Sequence, residues 1–544
     1  MRITHGLFIA ATIAQAKRVV ENWDITYVTT NRGLNQPVKR SIGVNGQFPL
    51  PIVKANIGDT LVLNIHNSLD TATSIHTHGI TQRGTNYYDG APFVNECGIA
   101  PGSNFTYEIP LMQSGSYWIH GHTSMQNYDG LRTPFIIYDP NDPYVADKEY
   151  LFAVEDWWPN TFEEIFPLLI SPDPNANVFA NPPGALINGF SGNLTKPMAF
   201  EPGKTYRIRL VSMMSLPLWE FAIDDHELKI IEIDGILTKP KTVDVVRLAP
   251  AQRRVSVLVT AKPSANMNYQ YHITMFGDFL PAIPDVFPSV FNGTVSYSDK
   301  APLYVADSIP SGFINEISME SLNYNPAFVP DHSIYLNATS GFIQDGSTFE
   351  SFNLVTYEDP LVPAIFSALT TGDMALNPIT YGPQTNSYVL KYGEIVEMLL
   401  WSATNLPHPL HLHGHNFQLI ERGFTNDTTG EFRNIVPLTK FSPLMRDTIF
   451  VPQGEYAVVR FKADNPGVWN MHCHFDWHMG QGLNMLFIEA PEQMRQVIKV
   501  PQAVIDQCLA QGIPTSGNAA GNNAYNYDAA PNLSYLLLDN PLSA

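Results

Sequence analysis

A glycine followed by residues that alternate in polarity occurs three times in this chain: Ile57-Gly-Asp-Thr-Leu-Val-Leu-Asn-Ile-His-Asn-Ser, Pro202-Gly-Lys-Thr-Tyr-Arg-Ile-Arg-Leu-Val-Ser-Met and Tyr392-Gly-Glu-Ile-Val-Glu-Met-Leu-Leu-Trp-Ser-Ala. A period of two is the signature of a strand with one buried face. Downstream of each lies a second alternating segment introduced by a proline turn, at Ala100, Leu248 and Val451. A strand pair repeated three times predicts three similar units, and 544 residues suffice for three separate cores. The units begin near residues 17, 141 and 303, giving boundaries of 17–140, 141–302 and 303–544 after a short leader, 1–16. Turn clusters such as Asp139-Pro-Asn-Asp-Pro separate the strands, and only the stretch from Glu492 to Ala510 reads as a short helix. The expected class is therefore all-β, built from Greek-key sandwiches or barrels.

The leader has Arg2, an apolar run from Leu7 to Ala14, and Ala14-Gln15-Ala16 as a small-residue cleavage site. That order favours a secretory signal over a buried first strand. Asn-x-Ser/Thr sites at Asn104, Asn193, Asn292, Asn337, Asn426 and Asn532 accord with export and glycosylation. With 51 acidic against 31 basic residues the formal charge is −20, which excludes a phosphate-backbone partner and favours cations or neutral organic molecules. No apolar run approaches the ~20 residues of a membrane span, so no membrane anchor is expected within this sequence, and the chain is expected to be a monomer. The three cysteines, Cys97, Cys473 and Cys508, are too few for a disulfide scaffold.

Histidines are distributed unequally among the units. The first carries His76-Thr-His78-Gly and His120-Gly-His122; the third carries His408-Pro-Leu-His411-Leu-His413-Gly-His415 and His472-Cys473-His474-Phe-Asp-Trp-His478. The second unit has no such pairs, so units one and three should face each other across a shared metal site, with unit two a spacer or one wall of a substrate pocket. In an extended strand His472 and His474 project to one face and Cys473 to the other, so one tripeptide can serve two centres. A thiolate with His408 and His478 is the ligand set of a blue electron-transfer copper. The remaining imidazoles form four His-x-His pairs: His76/His78, His120/His122, His411/His413 and His472/His474. Eight neutral nitrogens suit three coppers with room for dioxygen, and do not suit calcium or magnesium. A single pair of this kind is commonly an ordinary pair of strand histidines or one zinc site; the full set points to copper. A copper-storage protein and a zinc hydrolase are the alternatives from other functional classes, and zinc would leave the protein colourless.

Taken in order, these motifs resemble those of the multicopper oxidases of the laccase and fungal iron-oxidase group, over nearly the whole chain. The resemblance implies three tandem cupredoxin-like domains, four copper ions and the four-electron reduction of dioxygen to water. It implies His408, Cys473 and His478 at the type 1 copper and His76 and His411 at the type 2 copper. His78, His120, His122, His413, His472 and His474 would hold the type 3 pair, and His415 would be no ligand. Ten residues after the cysteine, the family's axial position holds Leu483, which lacks a thioether and implies a fairly oxidising type 1 copper; Met479 is the rival candidate. Asp89 and Asp476 match carboxylates that supply protons for oxygen reduction, although a turn aspartate and a solvated strand-end aspartate are their plainer readings. Cys97 and Cys508 match a disulfide joining the first domain to the C-terminal segment.

The electron donor is read from fewer residues. Asp224 matches a position beside the type 1 histidine where laccases carry an acid that binds a phenol hydroxyl, with Asp225 as an alternative or a turn aspartate as the plainer reading. Iron oxidases use further acids, one in the loop that here spans residues 430–440 and is poor in carboxylates, another near Glu316. The closing segment from Val500 resembles the iron-oxidase and pigment-forming branch instead. On the site residues, the expectation is a laccase-like oxidase of phenols and aromatic compounds, with Fe(II) as the alternative donor. Trp157, Trp158 and Trp219 are candidates for an aromatic pocket wall, or simply for core.

Overall fold

Each of the three glycine-led segments forms a strand: Thr60–Asn67, Thr205–Ser212 and Ile395–Ser402. Each runs parallel to the first long strand of its own unit: Arg18–Thr30, Lys148–Trp157 and His332–Phe342 respectively. Each runs antiparallel to the second recurring segment: Asn104–Pro110, Val255–Thr260 and Glu455–Lys462. The repeated sequence thus folds into the same three-strand arrangement three times. The computed structural model describes residues 16–31, 38–173, 182, 184–191, 196–252, 255–276, 290–312, 314–342, 346–404, 406–424 and 442–524. The leader up to residue 15, the sites Asn193, Asn426 and Asn532, and the loop 430–440 lie outside the described residues.

Within the described residues the strands form six sheets, of four and four, seven and five, and six and five strands in chain order. Their strands fall in the stretches 18–138, 148–296 and 332–489, two sheets to each, giving three β-sandwiches. No helix among the described residues is long and apolar enough to cross a membrane. The expected C-terminal helix is two helices, Pro491–Val497 and Gln502–Ala510. Pro501 separates them, because its fixed φ suits the residue before a helix and its missing N–H cannot continue one.

These helices place the third unit on the first. Met494, Val504 and Cys508 lie in one apolar core with Trp23, Ile75, Tyr107 and Ile119 of the first sandwich. Cys97 and Cys508 are joined by a disulfide, as the family resemblance implied. Closer to the metal-ligating strands, the Asn86 side chain replaces a missing strand neighbour. Its amide donates to Val468 O at 2.9 Å and its carbonyl accepts Val468 N–H at 3.0 Å. The other seams are ionic. Buried Arg132 donates to Glu155 at 2.8 Å and to the carbonyls of Met213 and Asp156, joining the first sandwich to the second. Arg446 donates to Asp234 at 2.9 Å and also to Glu316, joining the second to the third. Breaking such a pair on one side leaves a buried charge, so these contacts fix orientation strongly.

Gly90 has φ +84° and lies against the backbone of Ile75 and His76, so an added Cβ would overlap the Ile75 carbonyl. Gly90→Ala should lower stability by about 2–3 kcal/mol or more, seen as an earlier thermal transition, and should displace the ligand strand beside it.

Candidate metal centre

The strand Ile75–His78 pairs antiparallel with Gly115–Gly121, setting His76 opposite His120. In the third sandwich His408–Leu412 pairs with Gly467–Cys473, setting His411 opposite His472 and Leu410 opposite Cys473. Cross-strand neighbours on one face are near enough to share a ligand. Across the seam the two ladders bring every candidate imidazole into three sets: His76, His78 and His411; His78, His120 and His474; and His122, His413 and His472. The ligand atoms within each set lie within 4.8 Å of one another. Cys473 turns to the opposite side, where its Sγ is 3.6 Å from the Nδ1 atoms of both His408 and His478. Those two nitrogens are 3.1 Å apart. All eleven predicted ligands are buried and fall into these sets. His415 falls in none of them; its ring is held between His413 O at 3.0 Å and Glu489 at 2.8 Å.

The chemistry of these groups fits a bound metal. One ring nitrogen is anchored in each of several rings: His76 Nδ1 to Asp89 O at 2.6 Å, His120 Nδ1 to Gly121 O at 2.9 Å, His411 Nδ1 to Asp447 O at 2.8 Å and His472 Nδ1 to Cys473 O at 2.9 Å. An N–H donated outward leaves the Nε2 lone pair facing inward, as in metal-bound imidazoles. The Nε2 atoms of His76, His120 and His122 are buried with no hydrogen-bond partner, a cost that a coordinated cation removes. Burial, reinforced by neighbouring imidazoles, holds His120, His122, His472 and His408 well below the usual histidine range, and burial alone takes His478 down to about 3. All are therefore neutral, ligand-competent rings at ordinary pH. Burial raises the Cys473 thiol, so a metal must displace its proton. Neutral imidazoles with one thiolate, and no carboxylate within the sulfur-containing set, form a copper-type donor set.

Carboxylates surround the cluster without dominating it. Asp89 Oδ2 lies 2.8 Å from His413 Nδ1 and Oδ1 lies 3.3 Å from His76 Nδ1, so Asp89 touches two of the imidazole sets. Burial acts to raise its carboxyl, but His76 and His413 outweigh that and hold it well below the usual range. Asp476 is buried in the short helix Asp476–Gly480 and accepts two hydrogen bonds from Asn127, at 2.9 and 3.1 Å. Burial pushes its carboxyl up to about 7 against the relief that Asn127 and Ser215 give. It is therefore not the solvated strand-end aspartate of the plainer reading. Three supporting side chains were not singled out from the sequence. Asp447 lies 3.7 Å from His411 and 3.8 Å from His78, Asn95 donates to Asp89 at 3.2 Å, and Thr404 Oγ1 is 3.0 Å from His408 Nε2. Single polar residues in strands and loops carry no spacing signal, so only the fold finds them.

The second unit carries no ligand but walls the sulfur-containing set. Trp158, Leu216 and Leu218 share a core with Cys473 and Trp477, and Asp476 N–H donates to Ser215 O at 3.3 Å. Of the three tryptophans, Trp158 packs near Trp477, with ring centroids 5.4 Å apart; Trp157 and Trp219 are buried in other cores. Leu483 is buried, and its carbonyl accepts Cys473 N–H at 3.0 Å; Met479 is half-buried at the same helix.

The structure bears on the candidate donor acids. Asp224 is buried in the second sandwich, where its carboxylate takes His272 Nε2 at 2.7 Å across paired strands, so it is not available to a donor arriving from solvent. The reason is register: Ala222 opposes His272, which turns the Asp224 side chain into its own sandwich. Its neighbour Asp225 is exposed and pairs with Lys262 at 2.8 Å. Glu316 is likewise held by Arg422 at 2.6 Å and by Arg446. Asp224→Asn should therefore lower stability by about 1–3 kcal/mol in a thermal melt and leave the ratio of turnover between two unlike donors unchanged.

Comparison with known proteins agrees with this geometry. Three family models described as multicopper oxidase match residues 25–142, 148–285 and 357–493. The iron multicopper oxidase fer1 of Mycosarcoma maydis is 35% identical over 94% of this chain and 86% of its own. The iron transport multicopper oxidase fio1 of Schizosaccharomyces pombe is 38% identical over 88% of this chain and 77% of its own. Among solved structures, Fet3p, a multicopper oxidase that functions in iron import, superposes with a TM-score of 0.88 at 31% identity, covering 94% of this chain and 98% of that one. The laccase of Botrytis aclada superposes at 0.76 and 26% identity, covering 91% and 92%.

Proposed function

The chain belongs to the multicopper oxidase family, and from that premise we propose that it is a ferroxidase, taking its electrons from Fe(II), with laccase-like oxidation of phenols as the second reading. The observation that carries the oxidase chemistry is the placing of two unlike ligand sets on the two faces of one strand: His472 and His474 with the imidazole sets, Cys473 with His408 and His478. The family implies four copper ions. The sets support His408, Cys473 and His478 as holders of the type 1 ion and His76 and His411 of the type 2 ion. They support His78, His120 and His474 at one type 3 ion and His122, His413 and His472 at the other. Copper held by these residues would supply single-electron acceptance at the first set and the four-electron reduction of dioxygen to water at the other three.

The protein groups supply what that chemistry requires. The Asp89 carboxylate contacts both His76 and His413, and the Asp447 carbonyl orients His411, so these imidazoles are fixed before any metal arrives. Asp476 holds a proton near neutral pH beside Asn127 and is suited to deliver it towards the seam. Burial of the whole seam keeps bulk water from the reacting oxygen. Leu483, buried beside Cys473, offers no thioether, so a type 1 ion held by His408, Cys473 and His478 would have a higher potential than one with a methionine ligand.

The choice of Fe(II) over phenols draws on different support. The phenol reading leaned on Asp224, whose carboxylate is internal. The relatives spanning most of this chain include several named for iron, and a formal charge of −20 draws cations towards the surface. We also propose that the protein is exported and glycosylated as a monomer; the Cys97–Cys508 bridge fits an oxidising compartment, and Asn104 is exposed.

Oxygen uptake by the copper-loaded protein should give a higher kcat/KM for Fe(II) than for a methoxyphenol, and Cys473→Ser should abolish both with loss of the blue colour. A methoxyphenol preferred over Fe(II) would overturn the donor assignment and leave the oxidase assignment standing. Asp476→Asn should slow turnover by roughly 10²-fold while copper content and blue absorption stay at wild-type values.

A further inference from the structure

A buried acid lies behind the type 1 set with no ion-pair partner among the described residues. Glu350 sits on the edge strand Thr348–Phe352, opposite Ser340 on His332–Phe342. Strand alternation gives Glu350 the same face as Phe352, while Ser340 shares its face with Leu336 and Ala338. Those three apolar side chains belong to the core that contains Cys473 and Leu483. The Glu350 peptide N–H donates to Gln481 O at 3.1 Å, at the end of the helix that carries His478. Its side chain is therefore aimed into the sandwich at the level of the type 1 ligands. Glu350 is 4% exposed, its Oε1 accepts Ser340 Oγ–H at 2.6 Å, and its Oε2 is buried with no hydrogen-bond partner. Leaving one carboxyl oxygen unsatisfied costs stability, and a small apolar side chain would fill the place without that cost.

We propose that Glu350 acts on the type 1 centre through the field of its carboxyl, lowering the centre's potential when ionised and so limiting which donors it can oxidise. The proposal rests on His408, Cys473 and His478 being the copper-holding set. A negative charge in a buried, low-dielectric place stabilises the oxidised, more positive state of a nearby metal. Leu483 and Glu350 therefore act in opposite directions on the same centre. Burial pushes the Glu350 carboxyl up to about 8, with the Ser340 hydrogen bond the only opposing influence. Its charge in turn acts on Cys473. The sign follows directly. Below that pH the carboxyl carries its proton and the potential is high; above it the carboxylate forms and the potential falls. Within this range, reduction of the ion held by the set would favour proton uptake at Glu350, by a fraction of a proton per electron, and reoxidation would release it again. The other acid acting on Cys473 is Asp476, which is itself influenced by Asp156 and Arg132; the comparison between wild type and a Glu350 variant leaves their contribution unchanged.

The test is a potentiometric titration of the blue absorption of the copper-loaded full chain between about pH 6 and pH 9. Glu350→Gln should match the wild-type potential at the acid end and lie above it at the alkaline end, with a smaller pH slope. Ser340→Ala removes the hydroxyl that stabilises the carboxylate, so its fall in potential should move to higher pH. Wild-type slope and potential in Glu350→Gln would overturn the proposal, and so would a Ser340→Ala curve that superposes on wild type. A wild-type protein that loads copper without a blue band would instead remove the type 1 assignment, and this proposal with it.

Discussion

Everything functional in this molecule hangs on the register of one strand. Gly467–Cys473 pairs antiparallel with His408–Leu412 on one side and with Asn484–Glu489 on the other. Alternation then decides which face each side chain takes. His472 must look into the seam with the first sandwich, while Cys473 must look into its own sandwich. A slip of one residue would exchange these faces and leave both ligand sets incomplete. The register is held by the reciprocal Asn86–Val468 hydrogen bonds, which reach over from the first sandwich to the same strand. The contact that aligns the seam is thus made to the element that supplies ligands on both its faces.

The seam is costly as well as specific. Eight imidazoles, Asp89 and Asp447 are withdrawn from water between two sandwiches, with ring nitrogens as close as the 3.0 Å between His413 Nε2 and His472 Nε2. Such an arrangement is unfavourable until a cation is shared among the rings, so metal binding contributes directly to holding the first and third sandwiches together. The apolar core shared with the C-terminal helices and the Cys97–Cys508 bridge lie on the same side of the molecule. They keep the seam closed independently of metal.

The fold was legible because strand period, repeat and turn chemistry agreed in all three units, and the ligands because His-x-His pairs on strands leave few other interpretations. What the sequence concealed depended on contacts between distant segments. Asn127 and Asp476 are 349 residues apart, and Asp89 and His413 are 324 apart, so no local pattern marks Asn127 as the partner of a proton-bearing acid. Asp224 illustrates the opposite failure. Its place in the sequence recommended it as a donor-binding acid, but the opposing His272 turns its carboxylate inward. Motif position alone does not report where a carboxylate points.

Oxygen chemistry and donor choice are separated in space, and this explains how one architecture superposes on both an iron-import oxidase and a laccase. The oxygen side is enclosed by ligands from two sandwiches, several of them braced by a second hydrogen bond, so a change there disturbs more than one coordination set. The donor side is built from one thiolate, two imidazoles and whatever packs around them: Thr404 at His408, Leu483 behind the sulfur, Glu350 deeper in the same core, and Trp158 and Leu216 from the ligand-free second sandwich. None of these belongs to the imidazole sets, so a change of similar volume at one of them leaves those sets complete. Substrate preference is accordingly carried by residues whose individual effects are electrostatic and steric. A chain can retain every copper ligand and still differ in what it oxidises.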